Sequence, residues 1–102
     1  MSVVVMITLP GVREDRLLEV NRSHEAAMKR IIEDAQAKGA VHHAFSVTED
    51  GACVVIDEWS SREAFDEFFA AQQEIPEIMR ESGATGSPAI TSYRLLETSD
   101  RF

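Results

Sequence analysis

Three histidines, His24, His42 and His43, are the side chains best suited to moving a proton near neutral pH, because an imidazole changes charge there. On a helical wheel His24 falls near the centre of the apolar stripe made by Leu17, Val20, Met28 and Ile31, so its spacing aims it at the layer beneath the helix. An imidazole so placed is either a packed side chain bonded to a neighbour or one wall of a pocket between helix and sheet. Asn21 lies one turn earlier, and Gln72 falls on the apolar side of a later helix. The three line one cavity if the helices leave a gap; exposure of Asn21 and Gln72 at the surface is the other reading.

His43 depends on a turn. Asp50-Gly51 tolerates the positive φ angles of a two-residue hairpin loop, so residues 41 to 48 and 52 to 59 are expected to pair antiparallel. Counting back from Glu49 opposite Ala52 places Phe45 opposite Ile56, His43 opposite Glu58 and His42 opposite Trp59. A carboxylate facing His43 would fix the ring as a general base requires, or make no more than a rim salt bridge. His42 against Trp59 reads as packing. A metal site from His42 and His43 fails, because adjacent strand residues point to opposite faces. Tyr93, on the last strand, offers a hydroxyl on a ring that also packs, which suits an aromatic substrate and a subunit contact equally.

These residues need elements to hold them. SVVVMITL, residues 2 to 9, is β-branched and apolar, a strand closed by Pro10-Gly11. Apolar residues recur at helical spacing from Arg13 to Lys38, with Glu14 and Asp15 in the first turn and Gly39 as terminator. After the hairpin, Ser60 stands three residues before Glu63, the spacing of a capping box, and Phe65, Phe68, Phe69 and Ile75 continue a second helix until Pro76 opens a new turn as its first residue. A loop from Gly83 to Ser87 leads to an edge strand, AITSYRLLE, and a tail of residues 98–102 expected to fray.

The order β-α-β-β-α-β predicts one α+β domain over residues 1–102, ferredoxin-like, with two helices on one face of a four-stranded antiparallel sheet. On the hairpin, the bare face is expected to carry His42, Ala44, Ser46, Cys53, Val55, Asp57 and Trp59. Val41, His43, Phe45, Val47, Val54, Ile56 and Glu58 would lie under the helices. An apolar open face with a tryptophan on it favours a homodimer packed sheet against sheet.

Composition removes several classes. Ten Lys and Arg against eighteen Asp and Glu leave a net charge of -8, which repels phosphate backbones and anionic lipid, so neither nucleic acid nor a membrane is an expected partner. Cys53 is the one cysteine and cannot form an internal disulfide; with no signal-like leader, a cytoplasmic protein is expected. No phosphate loop, dinucleotide fingerprint, CxxC or HExxH pattern occurs, and no cofactor is implied.

The segment VVIDEWSSREAF and its continuation to Phe69 resemble the strand-to-helix junction of the antibiotic biosynthesis monooxygenase family, within the dimeric α+β barrel superfamily. The resemblance runs over nearly the whole chain, from the apolar first strand through the long helix and hairpin to the acid-x-Trp of Asp57 and Trp59. Many relatives carry a His nine residues after that Trp, where Phe68 stands here. Haem-degrading relatives use an Asn, a Trp and a His where this chain has Val5, Phe68 and Ile78. The resemblance implies a cofactor-independent oxygenase of a small electron-rich aromatic, a phenol or hydroquinone, in which the substrate itself reduces oxygen once deprotonated. The protein then supplies a base, His24 or His43, walls from Trp59 and phenylalanines such as Phe68, and an orienting donor from Asn21, Gln72 or Tyr93. A non-catalytic small-molecule-binding or regulatory dimer is the alternative, and a haem-binding relative using a histidine ligand is a third.

Overall fold

A computed structural model of the chain describes residues 2–102. Eight elements follow in order: β1 (Val3–Leu9), α1 (Glu14–Ser23), α2 (Glu25–Ala37), β2 (Ala40–Val47), β3 (Cys53–Trp59), α3 (Arg62–Ala71), α4 (Glu74–Glu81) and β4 (Ala89–Arg94). The strands form one antiparallel sheet in the order β2-β3-β1-β4. This is the ferredoxin-like βαββαβ arrangement that the element order predicts, with each crossover helix divided in two. Among the described residues, no helix is long and apolar enough to cross a membrane.

The sheet has one covered face. Val3, Val5, Ile7 and Leu9 alternate along β1 and are all buried, packed with Leu17, Val20 and Ile31 from the first crossover and Phe65, Phe68 and Ile78 from the second. Removing these side chains from water is the main stabilising term for the domain.

Both helical stretches depart from expectation at single residues. The helix expected over 13–38 breaks at His24, whose φ of -111° and ψ of 29° lie outside the helical range. The backbone N–H of His24 still donates to Val20 and its carbonyl accepts from Met28, so one residue serves as C-cap to α1 and N-cap to α2. The cap of α3 is Ser61, whose hydroxyl accepts from Ala64 N–H at 3.0 Å, and not the expected Ser60. Ser60 is occupied elsewhere, its N–H donating to Gly39 at 2.8 Å. Pro76 is the third residue of α4 and not its first, a position where the missing N–H would in any case lack a helical partner.

The hairpin differs by one residue, with large consequences. Thr48 and Ala52 close the loop: Thr48 N–H donates to Ala52 O at 2.9 Å and Gly51 N–H to Thr48 O at 3.0 Å, leaving Glu49-Asp50-Gly51 as a three-residue turn with Gly51 at φ 93°. A type I turn followed by a left-handed glycine gives such a loop. The Thr48 hydroxyl reinforces it, bonding Asp50 and accepting from Ala52 N–H. Phe45 therefore faces Val55, His43 faces Asp57 and His42 faces Glu58, in place of the expected Ile56, Glu58 and Trp59.

A shift of one residue turns every side chain of β3 over relative to β2. Cys53, Val55, Asp57 and Trp59 lie beneath the helices, where Trp59 is 1% exposed, while Val54, Ile56 and Glu58 share the open face with Val4 and Met6. Both sets are the reverse of the expectation. On β2, His43 and Phe45 stay on the covered side, but Val41 is passed over in a bulge between Ala40 and His42 and is 62% exposed.

Gly39 holds the start of that bulge. Its φ of 121° is unfavourable for any side chain, and a Cβ there would collide with the Ser60 hydroxyl. Gly39→Ala should lower stability by about 1–3 kcal/mol in a urea melt followed by Trp59 fluorescence. A change below about 0.5 kcal/mol would show that the loop relaxes freely.

Candidate functional site

The helical layer does not close completely on the sheet. A cavity of about 390 Å³ remains, floored by Ile7, Phe45 and Val55 and covered by Met28 and Ile31 of α2, Phe68 of α3 and Ile78 of α4. That volume lies in the range of small-molecule sites. Its aromatic wall is a connected cluster: Trp59 meets Phe65 at 5.7 Å and Phe68 at 5.1 Å between ring centroids, and Phe65 stacks on Phe69 at 5.4 Å.

Only four of its lining side chains are strongly polar: Gln36, His42, His43 and Asp57. Asp57 is the unusual one, a carboxylate 7% exposed within an apolar layer. Burial of a carboxylate demands partners, and Asp57 has one for each oxygen. Oδ1 lies 2.7 Å from His43 Nδ1, and Oδ2 accepts from the Trp59 indole N–H at 3.1 Å. Strand geometry makes the set. Asp57 and Trp59 are two residues apart and so share a face, and the pairing of β2 with β3 puts His43 beside Asp57.

The proton positions follow from donor chemistry. An ionised carboxylate can only accept, so a neutral His43 facing it carries its proton on Nδ1, which leaves Nε2 as the acceptor. Among the described residues Nε2 has no hydrogen-bond partner, and Phe45 meets the ring edge-on at a centroid distance of 5.0 Å. Trp59 holds Asp57, Asp57 orients His43, and His43 presents a free nitrogen at an apolar cavity. This is the second-neighbour support a general base needs.

Of the residues singled out from the sequence, His42, His43, Trp59 and Phe68 line this cavity. The others lie elsewhere. His24, expected to point at the sheet, sits at the break between α1 and α2, its side chain 35% exposed and its Nε2 2.5 Å from Glu81 of α4. The break ends the regular phase that placed the ring in the apolar stripe. Asn21 donates to the Leu17 carbonyl of its own helix, and Gln72 to Asp34 at 3.3 Å, so the shared cavity expected of His24, Asn21 and Gln72 does not form. Tyr93 stands opposite Val4 on the open face and is 55% exposed. Asp57 was missed as a site residue because the two-residue turn assigned it to the open face; the i, i+2 spacing to the only tryptophan was its signal.

Cys53 shares the covered face without taking part. Burial pushes its thiol above the usual range, and the charge of Glu14 adds to the effect, so it is held as an inert neutral thiol. Among the described residues, no group of three or more His, Cys, Asp or Glu side chains is placed to hold a metal ion.

No protein-family profile and no curated protein sequence matches the chain. Solved structures do match, and they define the class: the chain has the fold of antibiotic biosynthesis monooxygenase-type proteins. It is similar to the ActVA-Orf6 monooxygenase of Streptomyces coelicolor, solved with the ligand nanaomycin D, at a TM-score of 0.66 and 18% identity over 95% of this chain and 89% of that one. SnoaB, a cofactor-independent oxygenase from Streptomyces nogalater, matches in a mutant form at a TM-score of 0.60 and 16% identity, covering 98% of each chain. A dimeric ferredoxin-like protein from an uncultured marine organism reaches 0.66 at 12% identity, over 99% of this chain and 93% of that one. At such identities the likeness establishes the fold.

The hydrogen-bonded relay Trp59–Asp57–His43 carries two expected outcomes. Asp57→Ala leaves the buried indole N–H of Trp59 without a partner and should cost about 1–3 kcal/mol, whereas His43→Ala, at the more open end, should cost less. Urea melts of the two variants check the order. Cys53 should react with a thiol-alkylating reagent far more slowly in the native protein than in urea, and equal rates would contradict its burial.

Proposed function

We propose that the protein is a cofactor-independent monooxygenase acting on a small electron-rich aromatic of the phenol or hydroquinone type, with His43 as its general base. One observation carries this reading: an imidazole nitrogen with no hydrogen-bond partner among the described residues, backed by a buried carboxylate, on the wall of an aromatic-lined cavity. The fold shared with oxygenases supports it.

The chemistry asks little of the protein. His43 Nε2 takes the hydroxyl proton of the substrate, and Asp57 stabilises the imidazolium that forms. The anion left in the cavity has few hydrogen-bond donors around it, so it keeps its electron density and can pass an electron to dioxygen. Recombination of the resulting radical pair forms a C–O bond to a ring carbon, the peroxide takes up the proton held on His43, and breaking the O–O bond with loss of the ring C–H proton releases water and leaves one oxygen on the ring as a quinone carbonyl. Trp59 and Phe68 hold the substrate ring, and the apolar walls limit the water that would solvate the anion. His24, Asn21 and Gln72 take no part in this scheme. Two copies are proposed to pair through the open sheet face, with Tyr93 in the contact, and the lone buried cysteine suits a cytoplasmic setting.

The test is oxygen uptake with a panel of hydroquinones and naphthohydroquinones. His43→Gln should reduce turnover by about 10²–10⁴-fold with an unchanged circular dichroism spectrum, and His24→Ala should stay within about threefold of the parent. Undiminished uptake in His43→Gln would reject the base assignment. A ligand that raises the melting temperature and is recovered unconverted would instead favour a binding protein of the same fold.

A further inference from the structure

The cavity is as uneven in charge as in polarity. Among the described residues no lysine or arginine lines it, and its ionisable residues are His42, His43 and Asp57. The nearby helical cations face acids: Arg30 lies 3.2 Å from Glu74, and Lys38 lies 3.0 Å from Asp34. Arg80 lies on an adjoining groove that shares Phe69, Ile75 and Met79 with the cavity, outside the cavity's own lining. The chain as a whole carries a charge of -8.

We propose that the cavity selects its ligand by charge, admitting uncharged aromatic molecules and rejecting anionic ones of the same shape, with Asp57 as the specificity-determining group. This rests on the cavity being the ligand site, as the proposed oxygenase requires. An anion entering from water loses its hydration and finds no fixed cation in exchange. It also meets the Asp57 carboxylate across a medium of low polarity, where like charges repel more strongly than in water. The net negative charge of the chain adds a longer-range repulsion that salt screens.

The same arrangement tolerates a neutral hydroxylated ring. When its O–H bond breaks and an Nε2–H bond forms on His43, the new anion lies beside a new imidazolium, and the total charge of the site is unchanged. A carboxylate arriving without a proton to give adds a full negative charge that nothing in the wall balances. Proton transfer within the site and exclusion of preformed anions therefore have one electrostatic origin.

The experiment compares 2-naphthol and 2-naphthoate, probes with the same ring system, by equilibrium dialysis at pH 8 against the full chain. The expected result is that 2-naphthol binds at least about tenfold tighter. Because the two probes also differ in intrinsic hydration, Asp57→Asn is the decisive comparison. It should tighten 2-naphthoate binding by about tenfold relative to 2-naphthol binding. Gln36→Lys, which adds a cation at the exposed rim without touching the relay, should also tighten 2-naphthoate severalfold and decides the matter if Asp57→Asn does not fold. Equal binding of the two probes, binding of neither, or a 2-naphthoate affinity that no folded variant moves would overturn the proposal. Tight 2-naphthol binding without oxygen uptake would remove the catalytic reading and leave the charge filter standing. Oxygen uptake with equal probe affinities would do the reverse.

Discussion

The three-residue turn at Glu49-Asp50-Gly51 determines which edge of β3 looks toward the helices, and the cavity, the relay and the open face all depend on it. With a loop one residue shorter, Glu58 would stand under the helical layer in place of Asp57, and Trp59 would lie on the open side. The turn is fastened by short-range chemistry. The Thr48 side chain bonds both Asp50 and Ala52, and Gly51 adopts a left-handed conformation that costs a glycine little. Local bonds at the far end of the hairpin thus decide the chemistry about six residues up the ladder, since register is transmitted along paired strands without loss.

The bulge at Val41 completes the arrangement. It lets Ala40 pair with Trp59 while His42 pairs with Glu58, so β2 takes up an extra residue beside the relay. Bulges re-aim side chains and increase local twist. Gly39 and Ser60 tie the two strand ends together just beyond it, which holds His43 against Asp57 from one end while the turn holds it from the other.

The order of elements was legible because each carries a strong local signal: the β-branched run of β1, the helical spacing of 13–38, and the phenylalanines of α3. The face of β3 was not. Cys53, Val54, Val55 and Ile56 are apolar at both parities, and Asp57 and Glu58 put an acid on each side, so hydrophobic alternation is silent there. The Asp-Gly pair is compatible with a two-residue or a three-residue loop, and the deciding group, the Thr48 hydroxyl, lies outside that pair, ahead of Glu49. His24 failed for a related reason. Helical spacing assumes an unbroken axis, and no proline or glycine marks the place where this one changes direction. His43 and Trp59 were recognisable by residue type, but their connection through Asp57 required the register.

The cover of the cavity is held in a particular way. The polar ties between α4 and the first crossover are surface contacts, Arg30 with Glu74, His24 with Glu81, and Arg16 with the Glu81 carbonyl, and exposed ion pairs contribute about 0 to 1 kcal/mol each. Ile78, buried against the core, contributes more, since burying such a side chain is worth about 1.5–3 kcal/mol. Yet α4 is short, and its own Ile75 and Met79, only partly buried against the core, also border the cavity. The sheet beneath borders the same cavity through Ile7, Phe45 and Val55, but its His43 and Asp57 are held from both ends of the hairpin. The floor of the cavity therefore rests on paired strands, and part of its cover on the few buried contacts of one short helix.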